Sequence, residues 1–257
     1  MIKVQNLYKS YGKNQVLKGL DLSFNEQGKV IAVLGPNGSG KTTLIKCLLG
    51  MVIPDQGQLT IFEKAIKNAH AYRSQVNYLP QIARFPENLS VAELIKLIKD
   101  IRGTGAQDQE LIQRFGLTPF LNKRLVNLSG GTKQKVNLTL AFMYDNPLII
   151  LDEPTSGLDP LAMVALRELI QQERDAGKLI LVTTHIMSFV EEIADEIVFL
   201  LEGKSYFQGS IQVLLDDYQA SSVERAIANI LTLKQPAVSS QPIVNNYTVK
   251  TTESITN

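Results

Sequence analysis

Tryptophan is absent from this chain of 257 residues, cysteine occurs once and histidine twice. The single thiol, Cys47, excludes an intramolecular disulfide and fits a reducing compartment. Its apolar neighbours make it core packing, not redox chemistry. Net charge is nearly absent as well. Lys and Arg number 26 against 25 Asp and Glu, which leaves +1 and a pI of about 7.7, so no electrostatic footprint for nucleic acid is visible. Long apolar runs are also missing. "IVFLL" and "LIIL" fall far short of the roughly 18 residues a membrane span requires. The stretch "MIKVQNLYKSYGKNQV" has no apolar segment of the signal-peptide kind. The expectation is a soluble, cytoplasmic chain long enough to bury a sizeable core.

What is present is an alternation of strand and helix patterns, which predicts an α/β domain. "MIKVQNLYKSYG" and "QVLKGLDLSF" alternate apolar and polar residues as half-buried antiparallel strands do. "KVIAVLG" reads as a fully buried strand. A helix starting near Lys41 stops at Gly50, and "QLTIF" and "VNYLP" read as further strands. From about Ile82 to Asp145 apolar residues recur at three- and four-residue intervals, as in "VAELIKLIKDI". This predicts an inserted helical lobe. "LIILDEP", "LAMVALRELIQQERDAG", "LILVTTH" and "SFVEEIAD" then restore the strand–helix order, and "EIVFLLEGKSYFQG" ends in a hairpin. Residues 1–217 form the main unit on this reading. The remainder, 218–257, holds one amphipathic helix in "SSVERAIANILTL" and a polar tail expected to be flexible.

"GPNGSGKT", Gly35 to Thr42, satisfies G-x-x-x-x-G-K-[ST] between a buried strand and a helix. Gly35, Gly38 and Gly40 let the backbone wrap closely, so that successive N–H groups point at a phosphate. The helix N-terminus adds partial positive charge. Lys41 reaches the β- and γ-phosphates, and the Thr42 hydroxyl is placed for Mg²⁺. Pro36, Asn37, Ser39 and Thr43 complete the predicted cradle for a purine triphosphate.

"LIILDEP" is an apolar strand that ends in two carboxylates. Asp152 can hold Mg²⁺, and Glu153 can orient and deprotonate a water. His185 follows another apolar strand at the ligand edge of the sheet. There it can bond a γ-phosphate and hold the attacking water. Gln81, between a strand and the helical lobe, can touch Mg²⁺ and register the lobe's position. The other histidine, His70, lies in a polar stretch and receives no role.

A second glycine-rich helix start, "LSGGTKQK", poses a separate question. Ser129 is a good N-cap, and Gly130 and Gly131 leave N–H groups open to an anion. It cannot serve the same phosphates as Lys41 without crowding. It can serve those of a second copy bound face to face.

With these motifs in this order, the sequence resembles the ATP-binding subunits of ABC (ATP-binding cassette) transporters over roughly residues 1 to 215. "GPNGSGKT" matches the Walker A motif, Gln81 the Q-loop, "LSGGTKQ" the signature, "LIILDE" Walker B, "SGLD" the D-loop and His185 the switch histidine. Tyr11 occupies the position of the aromatic residue that stacks on adenine. The resemblance implies a P-loop NTPase core with an antiparallel β subdomain and an inserted α-helical subdomain. It also implies a head-to-tail dimer around two ATP molecules with Mg²⁺. Ser129, Gly130 and Gly131 would meet the neighbour's γ-phosphate, and Asp159 would contact the opposing subunit. Thr132 and Lys135 depart from the frequent Gln and Arg of the signature, at positions that carry no phosphate contact.

The resemblance further implies an integral-membrane permease as partner. It would dock near Gln81 and "IARFPENLSVAEL" and hold the chain peripherally on the inner face of the membrane. "LSGGTKQK" with "SGLDP" resembles cassettes of ABC-2 type permeases, and within them the ATPase for copper-site maturation of nitrous oxide reductase. Drug or polysaccharide exporter and gliding-motility cassettes are the alternatives. A chromosome-organising cassette would carry coiled coils or a basic face, and a translation factor two cassettes in tandem. A small-molecule phosphotransferase has no use for "LSGG".

Overall fold

The computed structural model describes residues 1–24, 27–66 and 70–234; the polar tail expected to be flexible lies outside the described residues. Two strands open the chain, β1 (Ile2–Tyr11) and β2 (Asn14–Phe24). With β4 (Gln56–Ile61) and β5 (Lys64–Ala65) they form an antiparallel sheet in the order β2-β1-β4-β5. The second sheet contains β3 (Lys29–Leu34), β6 (Val76–Leu79), β7 (Leu148–Asp152), β8 (Leu179–Thr183), β9 (Glu196–Leu201) and β10 (Lys204–Ser210). Its order is β10-β9-β3-β8-β7-β6, parallel throughout except for the β9–β10 hairpin.

Among the described residues there are eight α-helices, α1 (Lys41–Leu48), α2 (Val91–Arg102), α3 (Asp108–Arg114), α4 (Gly130–Phe142), α5 (Pro160–Asp175), α6 (Met187–Ile193), α7 (Ile211–Asp217) and α8 (Val223–Lys234), and three short 3-10 turns. Local chemistry sets their ends. Ser90 and Glu93 form a reciprocal capping box at α2, satisfying two N–H groups that the helix start would otherwise leave open. The strands and helices expected from the sequence are found, including the stop at Gly50, which has φ 63. The short strand β5 and helix α7 were not expected: β5 has two residues, too few for alternation to show, and α7 follows β10 with no intervening residue to mark a boundary.

Strand alternation splits the apolar residues between two faces of the parallel sheet. Leu148 and Ile150 of β7, with Leu179 and Leu181 of β8, join the antiparallel sheet and α1 in one core that also buries Cys47. Burial pushes that thiol up to about 11, which suits a packed side chain and not a nucleophile. Ile149, Leu151, Ile180 and Val182 face the opposite way and pack with Leu94, Leu111, Phe115 and Val136 of the helical segment. The lobe is therefore continuous with the sheet's own core. A third cluster joins Ala32, Leu34 and Leu214 to Val223, Ala226 and Ile230 of α8. The amphipathic helix expected beyond residue 217 thus buries its apolar face on the preceding elements. No helix among the described residues is long and apolar enough to cross a membrane.

Candidate functional site

Because β3, β6, β7 and β8 run parallel, their C-terminal ends share one edge of the sheet. The Gly35–Thr43 loop follows β3, Gln81 follows β6, Asp152 and Glu153 end β7, and His185 lies just past β8. Residues up to 150 positions apart in the chain are brought together by strand direction alone, at the edge where open α/β sheets bind ligands.

The loop after β3 is shaped for close backbone approach. Gly35 has φ 148, and a Cβ there would lie 2.1 Å from the Leu200 carbonyl oxygen and 2.7 Å from Ser39 Oγ. Only glycine fits. Ser39 Oγ is buried without a hydrogen-bond partner, a donor that a phosphate oxygen would satisfy. The Lys41 ammonium donates to the carbonyls of Gly35 at 2.6 Å and Pro36 at 3.1 Å. Burial lowers its pKa, opposed by the charges of Glu153 and Asp152. A cleft of about 300 Å³ is lined by residues 37–43 together with Asn14 and Val16 of β2. Asn14 and Val16 carry no local sequence signal; only the packing of the antiparallel sheet places them there. Tyr11, half exposed, pairs with Asn14 across the β1–β2 ladder.

Asp152 is buried and accepts a 2.5 Å hydrogen bond from the Thr183 hydroxyl. Glu153 adopts φ 52, a left-handed conformation that costs a side-chain-bearing residue about 1–2 kcal/mol. Its amide donates to the Thr183 carbonyl at 3.0 Å and hydroxyl at 3.1 Å, which hold the strained turn. Its Oε2 lies 3.0 Å from Nδ1 of His185. Thr183 was missed by motif reading because its role depends on a neighbouring strand. Gln81 is exposed beyond the end of β6. Tyr78, close enough to Asp152 to feel its charge, is pushed up to about 12, chiefly by burial.

The second glycine-rich start is on α4. The Ser129 hydroxyl accepts the Thr132 amide at 3.2 Å and lies 2.9 Å from the Thr132 hydroxyl. Gly131 packs against Gly157, where a Cβ would meet the Gly157 carbonyl at 2.6 Å, whereas Gly130 has open space. Asp159 caps α5 through the Ala162 amide at 2.9 Å and pairs with Lys135 of α4 at 2.6 Å. Both its oxygens are thus engaged within the chain.

A protein-family model described as "ABC transporter" matches residues 17–156. The lantibiotic transport ATP-binding protein SrtF of Streptococcus pyogenes is 35% identical over 205 residues, covering 79% of this chain and 88% of that protein. The L-cystine import ATP-binding protein TcyC of Bacillus subtilis (strain 168) is 31% identical, covering 90% and 99%. Among solved structures, an ATP-binding subunit of an ABC transporter superposes with a TM-score of 0.84 at 29% identity, covering 90% and 99%. The chain belongs to the ABC transporter ATP-binding family: it is a nucleotide-binding cassette and an ATPase whose hydrolysis is coupled to transport.

Proposed function

We propose that this chain powers a separate transmembrane permease as a head-to-tail homodimer with two ATP molecules between its subunits. The observation that carries the hydrolytic part is the pairing of Glu153 with His185 at 3.0 Å, beside the loop that bears Lys41. Glu153 is the general base for the attacking water. His185 occupies one carboxylate oxygen and orients the other toward that water. Loop amides, Ser39 and Lys41 hold the phosphates, and Lys41 leaves its two carbonyl partners to do so. Thr42, Asp152 and Gln81 would hold Mg²⁺, which neutralises charge between the β- and γ-phosphates when bound. Tyr11, paired across the β1–β2 ladder with Asn14 of the cleft lining, would stack on adenine. Ser129, Gly130 and Gly131 meet the γ-phosphate bound by the other copy. Asp159 lies at that interface.

Residues 1–217 are the ATPase unit, with the helical subdomain at about 82–145 and α8 seated on it. The exposed Ile82 beside Gln81 supports a docking surface there for the permease, which would keep the chain on the inner face of the membrane. An ABC-2 type permease is favoured by "LSGGTKQK" and "SGLDP". Copper-site maturation of nitrous oxide reductase draws no support from the lantibiotic and L-cystine relatives. Among the described residues, no group of three or more His, Cys, Asp and Glu could hold a metal.

The test is Glu153→Gln. Phosphate release without an acceptor falls by about 10²-fold or more while ATP binding persists, and Mg·ATP shifts the protein to a dimer that Ser129→Arg disperses. Captured from detergent-solubilised host membranes, that dimer retains a multi-span protein. Wild-type turnover in Glu153→Gln, or a dimer with only soluble companions, overturns the reading.

A further inference from the structure

Gln134 and Asn137 lie one turn apart on α4, and both are buried. Their carboxamides form a continuous chain. Asn137 Nδ2 donates to the Pro80 carbonyl at 3.1 Å and to Gln134 Oε1 at 3.4 Å. Gln134 Nε2 donates to the Pro154 carbonyl at 3.0 Å. Pro80 immediately precedes Gln81, and Pro154 immediately follows Glu153.

The location gives the chain its meaning. The β6–β7 ladder ends with the pair Leu79 and Leu151, so both segments run on past its last rung. Proline has no N–H, so at Pro80 and Pro154 the backbone offers only a carbonyl. Pro154 is buried and Pro80 half-buried; a carbonyl shielded from water needs a donor, and α4 supplies one to each. Glu153, at φ 52, is a strained residue that persists only where its surroundings over-determine it. The same helix begins at Ser129 and Gly130 and presses Gly131 against Gly157, three residues past Pro154. A fully satisfied buried polar network rigidifies the segments it joins.

We propose that Gln134 and Asn137 are positioning residues: they tie the start of α4 to the Gln81 segment and to the Glu153 turn, so that seating of a phosphate at Ser129 sets the Glu153 carboxylate. This rests on the hydrolytic reading given above. Either amide acts through Glu153 and touches no substrate.

The experiment uses the full chain and four variants. Gln134→Glu and Asn137→Asp keep side-chain volume but replace each donor by an oxygen. Gln134→Leu and Asn137→Leu remove polarity. Steady-state kcat and KM, affinity for a fluorescent ATP analogue and thermal melting are measured. Single-turnover hydrolysis is then repeated in a Glu153→Gln background. Loss of one positioning hydrogen bond lowers kcat by about tenfold, with KM and nucleotide affinity unchanged within about twofold and little further loss when Glu153 is already Gln. Unchanged kcat per folded molecule overturns the proposal. So does an equal loss in the Glu153→Gln background, or loss of the folded state in every variant at either position. Wild-type hydrolysis by Glu153→Gln alone overturns the site reading as well, which separates the two failures.

Discussion

His185 Nδ1 lies 3.0 Å from Glu153 Oε2 across 32 positions of sequence, with the histidine side chain 78% exposed and the glutamate 12%. The exposure separates function from stability. Removing an exposed ring costs the fold little, yet frees the carboxylate it orients. His185→Ala lowers ATP turnover by about 10²-fold and leaves the melting temperature unchanged. A melting shift of several degrees at full turnover would assign the pair to structure.

The adjacent glycines of α4 respond differently to one methyl group. At Gly131 a Cβ would stand 2.6 Å from the Gly157 carbonyl, whereas Gly130 has nothing within 4 Å. Gly131→Ala forces the backbone apart at a cost of about 1–3 kcal/mol. Gly130→Ala leaves the monomer within about 1 kcal/mol of wild type. Urea melts of the monomers check this. Loss of ATPase by Gly130→Ala at unchanged stability places its effect at the interface between copies.

Thr183 serves both acids. Its hydroxyl donates to Asp152 at 2.5 Å and accepts from the Glu153 amide at 3.1 Å. Thr183→Val keeps the shape and strips a buried carboxylate of a donor, a cost of about 1–3 kcal/mol. Denaturant melts and turnover should fall together, and nucleotide affinity should change less than turnover.

Asp159 supplies a pH dependence. Its hydrogen bond to Lys135, and after it the Ala162 amide, holds the carboxyl below its ordinary 3.8. A depressed acid contributes stability above its unfolded pKa and loses it as pH falls through the folded one. Asp159→Asn therefore flattens the acid limb of stability below about pH 4. At pH 7 it changes stability by less than about 1 kcal/mol, since Asn also caps and the ion pair is half exposed. Urea midpoints at pH 7 and pH 3 measure the difference. An unaltered acid limb would show that the pair carries no linkage.

Local signals were legible wherever one element carries them. Alternation in β1 and β2, the capping residue Ser129 and the loop at Gly35 need only neighbours a few positions away. The short α7 was not legible, because it continues directly from β10 and no residue between them marks a boundary. Nor was the burial of Val223 and Ala226, whose partners Ala32 and Leu34 lie nearly two hundred positions earlier.

By itself the sequence determined the α/β order, the phosphate loop and the identity of the candidate acids, since each depends on residue type and spacing along one stretch of chain. Tertiary structure alone decided that Thr183 faces Asp152, that Asn14 lines the cleft, and that Gln134 and Asn137 bridge Pro80 to Pro154. Those contacts join separate elements. Strand order and the packing of α4 on the sheet bring them within hydrogen-bonding distance, and no local pattern encodes a distance between elements far apart in the chain.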